Sequence, residues 1–283
     1  MDELANHCKG LSLSDREVPT FDLEEEMATL EFIIAAKLFT KRALNMDAIA
    51  STFQPLWRSK NGFKVKNMGN HIVLFIFDNK REVETIIENK PWSFDKHLMV
   101  LQRYDKDTPF EELQFNYTSV WVQVHDISIR FMNQKVAARI CSQVGTVIKK
   151  QEAEGEGGSF MRVRVRVDIT ISLSRGRMVS LGQGKEIWVS FKYERLPNIC
   201  YWCGYLTHDD RDCETWLESE GSLKAEDQQF GSWLRAAPTS QTRKNLVTIP
   251  GLFKKTSRAS PTPQNPINPN TFHSGSITNV RCG

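Results

Sequence analysis

Apolar residues recur in two distinct rhythms near the start of the chain. The run Leu30–Phe39 is mostly apolar and predicts a buried strand. Residues 46–57 repeat apolar side chains at three- and four-residue steps, a period that indicates a helix packed on one face, with Pro55 as its expected end. The folded part of the chain is therefore expected to begin with a strand followed by a helix.

A hairpin, a second helix and a further strand are predicted next. Asn79 is a suitable helix cap, and Glu82 follows it at the capping-box spacing. The predicted elements are an alternating strand around 63–66, an apolar strand at 71–77, a helix from Asn79 that stops at Lys90-Pro91, and a strand at 97–103. The order βαββαβ over residues 30–104 is that of ferredoxin-like and RNA-recognition folds.

A second α+β block is predicted at 117–195. Its first strand alternates valines with polar or aromatic residues around Trp121, and a helix capped by Asn133 runs toward Gly145. Met161–Asp168 is the most regular strand in the sequence, and another alternating strand ends at Tyr193. The predicted fold class is thus α+β, with a ferredoxin-like block and a further α+β extension.

Strict alternation places Arg162, Arg164 and Arg166 on one face of their strand and three valines on the other. Such a ridge of guanidinium groups can donate hydrogen bonds to the phosphates of a nucleic acid, with Lys149 and Lys150 nearby. The alternative is a solvated sheet face that is neutralised by glutamates at 152–156.

The residues after this block carry a metal-site pattern, Cys-x2-Cys-x4-His-x4-Cys, formed by Cys200, Cys203, His208 and Cys213. Three thiolates and an imidazole suit tetrahedral Zn²⁺, and a fully ligated ion is structural because no position is open to a reactive water. Gly204 suits a turn that needs positive φ. The alternatives are a disulfide or unrelated cysteines beside a surface histidine.

The same short segment contains Tyr201, Trp202 and Tyr205. Exposed aromatic rings beside a zinc site can stack on unpaired bases. Alternatively, the three rings form a small core of their own or pack against the strand that ends at Tyr193. The acidic residues of the segment, Asp209, Asp210 and Asp212, are expected to face solvent and to repel phosphates.

The ends of the chain differ in charge, although the formal net charge is only +3. Residues 1–31 carry nine acidic side chains against two basic ones, whereas residues 231–283 carry seven basic side chains and no acidic one. These compositions predict a disordered acidic head at 1–27 and a mostly disordered basic tail at 217–283, after a zinc knuckle at 196–216. The acidic head either screens the basic segment, binds a partner, or mainly confers solubility.

Membrane, secreted and enzymatic classes are not favoured. The longest uninterrupted apolar run, Ile72–Phe77, is far shorter than a membrane span, and no secretory signal is visible. We therefore expect a nuclear or cytoplasmic protein in which Cys8, Cys141 and Cys282 are ordinary reduced thiols. No nucleophile elbow or phosphate-cradling glycine loop is found, so neither catalysis nor a small-molecule substrate is expected.

The order of these landmarks resembles a family. The chain is similar to the plant domain of unknown function that is coupled to a Cys-x2-Cys-x4-His-x4-Cys zinc knuckle, as in gag-like proteins of plant LINE-type retrotransposons and their domesticated relatives. The resemblance covers about residues 28–236. Its landmarks are the βαββαβ block with Lys90-Pro91-Trp92, the Trp121 strand, the helix from Asn133 to Gly145, the arginine–valine strand, the knuckle, and Gln229–Arg235.

The resemblance implies binding of single-stranded RNA or DNA, with one structural Zn²⁺ held by the four ligands and Tyr201 at the aromatic position of retroviral-type knuckles. Two departures are visible. Thr207 stands where such knuckles usually have glycine, which predicts a strained or altered loop. Strand 70–77 lacks the basic and aromatic pattern of an RNA-recognition sheet. The alternative function is a protein-interaction adapter, or an inactive mobile-element remnant, that uses the knuckle for docking or self-association.

Overall fold

The computed structural model describes residues 31–106, 108–148 and 159–237. Its first part contains five strands and two helices, listed here in chain order: β1 Phe32–Leu38, α1 Met46–Trp57, β2 Lys64–Gly69, β3 Ile72–Phe77, α2 Lys80–Glu88, β4 Trp92–Phe94 and β5 His97–Tyr104. The strands form one antiparallel sheet in the order β2-β3-β1-β5-β4. The predicted βαββαβ arrangement is confirmed, with the short edge strand β4 added to it.

Local sequence signals account for the helix ends. The side-chain oxygens of Asn45 and Asn79 accept hydrogen bonds from backbone N–H groups in the first turns of α1 and α2. Glu82 does not close a capping box, because its carboxylate accepts from Ser59 Oγ and from the backbone N–H of Lys60. The prediction that Pro55 ends α1 is wrong: the helix includes it and ends at Trp57, whose ring is needed in the core.

The second part forms its own antiparallel sheet and carries one longer helix. Its elements are β6 Tyr117–Val124, α3 Gln134–Cys141, β7 Thr146–Val147, β8 Met161–Asp168, β9 Gly176–Ser180 and β10 Glu186–Tyr193. The strand order is β7-β8-β6-β10-β9. Asn133 caps α3 as predicted. A Cβ on Gly145 would lie 2.2 Å from the carbonyl oxygen of Arg166, so the turn after α3 can approach β8 this closely only with glycine.

Two hydrophobic clusters fill the described part of the molecule. One lies between the first sheet and its two helices, and aromatic rings such as Phe53, Phe75 and Trp92 dominate it. The other includes the opposite face of the first sheet, through Leu98 and Val100, together with the inward residues of the second sheet. The two predicted blocks therefore share a core.

This shared core covers the face of the first sheet that has no helices. In an RNA-recognition domain a sheet face of this kind is open and stacks bases on aromatic residues. Here Ile33, Ala35 and Leu74 also contribute to the shared cluster from that face. Base stacking on the first sheet is consequently blocked by packing as well as disfavoured by sequence.

The ordered chain continues beyond the knuckle boundary drawn at residue 216. Residues 217–237, the start of the segment expected to be mostly disordered, include short helical turns at Ala225–Asp227 and Ser232–Leu234. Phe230 and Leu234 are buried in the shared core, which fixes this part of the segment. The predictions for residues 1–27 and for the remainder of the tail lie outside the described residues.

Truncating Leu98 tests the covered sheet face. Leu98→Ala is expected to lower the free energy of unfolding by about 2–5 kcal/mol, because a 1% exposed side chain leaves a cavity in the shared core. Arg103→Ala on the same strand removes an exposed side chain and should cost less than about 1 kcal/mol. Urea denaturation of both variants gives the comparison. Equal, small effects would mean that this face is open.

Candidate metal centre and nucleic-acid interface

The four predicted metal ligands lie together. Their donor atoms, from Cys200, Cys203, His208 and Cys213, are all within 4.8 Å of one another, and Cys203 Sγ is 3.3 Å from His208 Nε2. Bonds of about 2.3 Å to sulfur and about 2.0–2.1 Å to nitrogen place neighbouring ligands of a tetrahedral zinc roughly 3.5–3.8 Å apart. The cluster is compact enough for one ion, and the donor set suits structural Zn²⁺.

The backbone around the first two cysteines is shaped for thiolates. Burial raises the pKa of the Cys200 thiol, and hydrogen bonds from the backbone N–H groups of Trp202 and Cys203 oppose that rise. Such donors stabilise the ionised sulfur that a zinc ion needs. Gly204 closes the turn at φ +78°, and a Cβ there would lie 2.4 Å from the ring of Phe230. Both the predicted turn and the close contact require glycine.

Thr207 has a definite place in the site. Its hydroxyl oxygen lies 3.3 Å from His208 Nδ1, while Nε2 of the same ring faces Cys203. The residue is not among those with positive φ, so the expected strain from replacing glycine is not found. The hydroxyl instead helps to orient the ring whose other nitrogen serves as the ligand.

Models of known families match two regions of the chain. A family model described as a domain of unknown function (DUF4283) matches residues 27–112, and one described as a zinc knuckle matches residues 167–215. The chain pairs a DUF4283 domain with a zinc knuckle. No curated protein matches the chain. The DUF4283 match coincides with the first sheet and its helices. The elements β6, α3 and β7 and most of β8 lie between the two matches.

The zinc knuckle is packed onto the DUF4283 domain through its acidic residues. Asp209 Oδ2 lies 3.0 Å from Nε2 of the buried His97, and Asp209 Oδ1 accepts from Asn198 Nδ2. Asp212 pairs with Lys41 at 3.0 Å. The expectation that these carboxylates face solvent is only partly right: the Asp209 and Asp212 side chains are 35% exposed, and both also contact the DUF4283 domain.

Apolar contacts complete that attachment. Leu206 of the knuckle and Phe230 after it belong to the shared core, and the backbone N–H of Phe230 donates to the carbonyl of Tyr201. On the other side, the N–H of Leu173 donates to the carbonyl of Gly204. The knuckle is therefore an integral part of the folded body.

The three predicted aromatic residues have different surroundings. Tyr201 packs against the shared core, and Asp210 accepts a hydrogen bond from its backbone N–H. Trp202 is half-buried and stacks on Trp216, with ring centroids 4.9 Å apart and planes at 12°. Tyr205, also half-buried, lies 6.1 Å from the His208 ring. Tyr201 therefore packs against the core, as the second alternative expects, whereas Trp202 and Tyr205 are half-buried and keep part of their surface exposed.

The arginine strand is only partly a surface ridge. Val163, Val165 and Val167 point into the core as predicted. Arg162 forms two hydrogen bonds to the Glu194 carboxylate, at 2.8 and 2.6 Å, and lies over the Trp121 ring. Glu194, directly after β10, thus neutralises Arg162, and the glutamates at 152–156 lie outside the described residues.

Arg164 and Arg166 differ sharply in exposure. Arg164 is 7% exposed, and its Nη2 donates to the carbonyl oxygen of Glu88 at the end of α2. Burial, followed by repulsion from Arg162 and Arg195, lowers the pKa of Arg164 to about 10. Arg166 is exposed and lies over the Tyr117 ring at 4.3 Å. Of the trio, Arg166 is the one with a guanidinium available to a ligand.

The remaining predictions concern single residues and the membrane. Lys149 and Lys150 lie outside the described residues. Cys141 is a buried free thiol, as expected, and burial raises its pKa to about 12. No helix among the described residues is long and apolar enough to cross a membrane.

Sequence reasoning did not identify two basic residues on α3 and a buried histidine. Lys135 and Arg139 are exposed on one face of a helix that has no acidic residue, and this spacing of four was the available signal. His97 is buried at the start of β5, directly before four apolar residues, and a buried polar side chain needs a partner. That partner, Asp209, lies too far away in sequence to be recognised.

Removing zinc should destabilise the whole body. Because knuckle residues share the main core, Cys200→Ser or a strong chelator is expected to lower Tm by on the order of 10 °C or more, equivalent to several kcal/mol. Calorimetry with metal analysis of the purified protein makes the test. Cys141→Ser controls for loss of a buried thiol away from the ligands. An unchanged Tm, or well below one zinc per chain, would contradict the assignment.

Two substitutions separate the structural role of the buried Arg164 side chain from the effect of removing one positive charge. Arg164→Met should lower the free energy of unfolding by about 2–4 kcal/mol, since the Glu88 carbonyl loses its buried charged donor. Arg166→Met removes the same charge from an exposed position of the same strand and should cost less than about 1 kcal/mol. Chemical denaturation provides both values. Similar costs for the two variants would show that Arg164 has no special structural role.

Proposed function

We propose that this protein is a non-catalytic, zinc-dependent binder of single-stranded RNA or DNA, of retrotransposon gag-like origin. The zinc knuckle supports nucleic-acid binding in general. The observation that carries the proposal is the half-buried Trp202–Trp216 stack beside the zinc ligands, with Tyr205 nearby. These rings can extend a stack to unpaired bases, a contact that contributes roughly 1–3 kcal/mol per base in comparable proteins.

Zinc acts indirectly in this proposal. When bound, it holds the knuckle loops in place and provides no reacting group, because all four positions are taken by the chain. Trp202 lies between Tyr201 and Cys203, so its position depends on the metal-bound turn. Bases would contact rings that the body of the protein holds still, which reduces the entropy lost on binding.

The absence of catalysis is part of the proposal. Asp209, Asp210 and Asp212 are the closest approach to a carboxylate cluster in the knuckle, and each is engaged in contacts that hold the knuckle together or attach it. Nucleic acid would thus be held and positioned without being cleaved. We place the protein in the nucleus or cytoplasm, where zinc-binding thiols remain reduced.

A protein-interaction adapter is the second candidate, and the β9–β10 hairpin favours it. Met178 and Trp188 are cross-strand partners, and both are about half exposed. The inner side of β9, with Ile127 and Phe131, lines an apolar groove of about 360 Å³. Exposed apolar surface at a sheet edge is typical of protein contacts.

The proposed function can be tested with a labelled single-stranded oligonucleotide. Trp202→Ala should weaken binding by roughly 5- to 150-fold at constant salt, equivalent to about 1–3 kcal/mol for a lost stack. Chelation of zinc should also abolish tight binding. Trp188→Ala is the matched control, since it removes an exposed tryptophan from the opposite end of β10.

The opposite pattern supports the adapter. If single strands do not bind at low salt, while Trp188→Ala weakens capture of a protein partner or self-association, the nucleic-acid function is refuted. Fluorescence anisotropy measures binding of the labelled single strand, and sedimentation velocity measures self-association or binding of a protein partner.

A further inference from the structure

A second candidate surface lies well outside the zinc knuckle. A groove of about 1040 Å³ runs between α3, the turn that follows it, and the ends of β6 and β8. Pockets that enclose a drug-sized ligand measure roughly 300–1,000 Å³, so this groove can hold an extended ligand. The residues that give it chemical character are Tyr117, Lys135, Arg139, Arg166, Asp168 and Arg177.

Positive charge in the groove is only weakly balanced. Lys135 and Arg139 lie four residues apart on α3, an arrangement of like charges that slightly destabilises a helix. In the described part of the chain neither has an acidic group within 4.0 Å. The nearby carboxylate, Asp168, accepts from the N–H and the hydroxyl of Thr170.

Hydrogen bonds and close backbone packing fix the walls of the groove. Arg177 Nη1 donates to the carbonyl oxygens of Arg139 and Ile140, so it contributes charge from a constrained position at the end of α3. Gly145 allows the turn after α3 to pack directly on β8, which brings the helix and Arg166 to one groove.

An aromatic ring lies beside these charges. Tyr117 is 43% exposed, and the Arg166 guanidinium is 4.3 Å from its ring centroid. A cation that lies over one face of a partly exposed aromatic ring can contact a phosphate, while the exposed part of the ring contacts a base of the same nucleotide. This aromatic–basic pair distinguishes the groove from a merely charged surface.

We propose that the groove between α3 and β8 binds the sugar–phosphate backbone of a single-stranded nucleic acid through Lys135, Arg139 and Arg166, with Tyr117 stacking on one base. The inference rests on the proposed function and identifies the surface that supplies its charge. Four residues of helix separate Lys135 from Arg139 by about 6 Å, so the two can contact different phosphates of one strand.

Positive charge continues from Arg166 toward the first sheet. Burial and repulsion from Arg164, Arg166 and Arg103 lower the pKa of Lys90 to about 8. Cations that repel one another across this surface gain when a polyanion binds between them.

The test measures how single-strand affinity depends on salt. Each phosphate contact contributes about 0.7 to the slope of log Kobs against log salt concentration for single strands, so Lys135→Gln with Arg139→Gln should reduce it by about 1.4. At 0.1 M salt this corresponds to binding weakened on the order of 20-fold. Glutamine is a good helix former, so α3 should remain folded, as circular dichroism can verify.

A matched variant controls for net charge. Lys64→Gln with Lys66→Gln removes two exposed positive charges from β2, at the edge of the first sheet. Its salt slope and affinity should remain close to those of the unmodified protein. An equal loss in both double variants would mean that only overall charge matters, and would overturn the groove proposal.

Photocrosslinking gives a second, independent measurement. A single strand containing bromouridine should crosslink to the peptide that includes Tyr117, and Tyr117→Ala should remove that crosslink. Crosslinks confined to the knuckle, together with an unchanged salt slope for the Lys135 and Arg139 variant, would refute the groove while the proposed function stands.

One further result would overturn both proposals, and another would assign the groove to a different class of ligand. If the unmodified protein binds no single strand at low salt, the proposed function fails and the groove proposal fails with it. If polyglutamate binds, loses affinity in the α3 variant, and single strands do not bind, the groove is a site for an acidic protein.

Discussion

The burial of one shared hydrophobic core joins the first sheet, the second sheet and the zinc knuckle of this protein. Leu98 of the DUF4283 domain, Val120 and Val165 of the second sheet, and Leu206 of the zinc knuckle all lie within it. Apolar burial contributes roughly 25 cal/mol per Å² removed from water, so separating any of these parts would expose a large apolar surface. The knuckle is consequently held in a fixed position, unlike a zinc module carried on a flexible linker.

That core also decides which surfaces remain for a partner. The helix-free face of the first sheet is buried in the shared core. Arg162 pairs with Glu194, and Arg164 donates a hydrogen bond to the carbonyl oxygen of Glu88 at the end of α2. The surfaces left for a nucleic acid are at the periphery, on the knuckle aromatics and on the basic groove beside α3. In the proposed function, binding would be divided between a stacking surface beside the zinc ligands and a charged surface on the second sheet.

The acidic residues of the knuckle fit this division. A loop with three aspartates is a poor binding surface for phosphates if all three charges face solvent. Here Asp209 lies against His97 and Asn198, and Asp212 pairs with Lys41. These contacts direct Asp209 and Asp212 toward the DUF4283 domain, while Asp210 accepts from the backbone N–H of Tyr201 inside the knuckle.

The sequence by itself determined the zinc ligands, the helix caps and the order of strands and helices, because each depends on spacing or hydrophobic period within a few residues. Only the tertiary structure decided the edge strands β4, β7 and β9, the burial of Arg164 and the attachment of the knuckle. Arg164 meets a carbonyl oxygen 76 residues away, and His97 meets Asp209 across 112 residues. An alternating strand shows which residues share a face, but whether that face meets solvent or another part of the chain depends on packing between segments far apart in sequence.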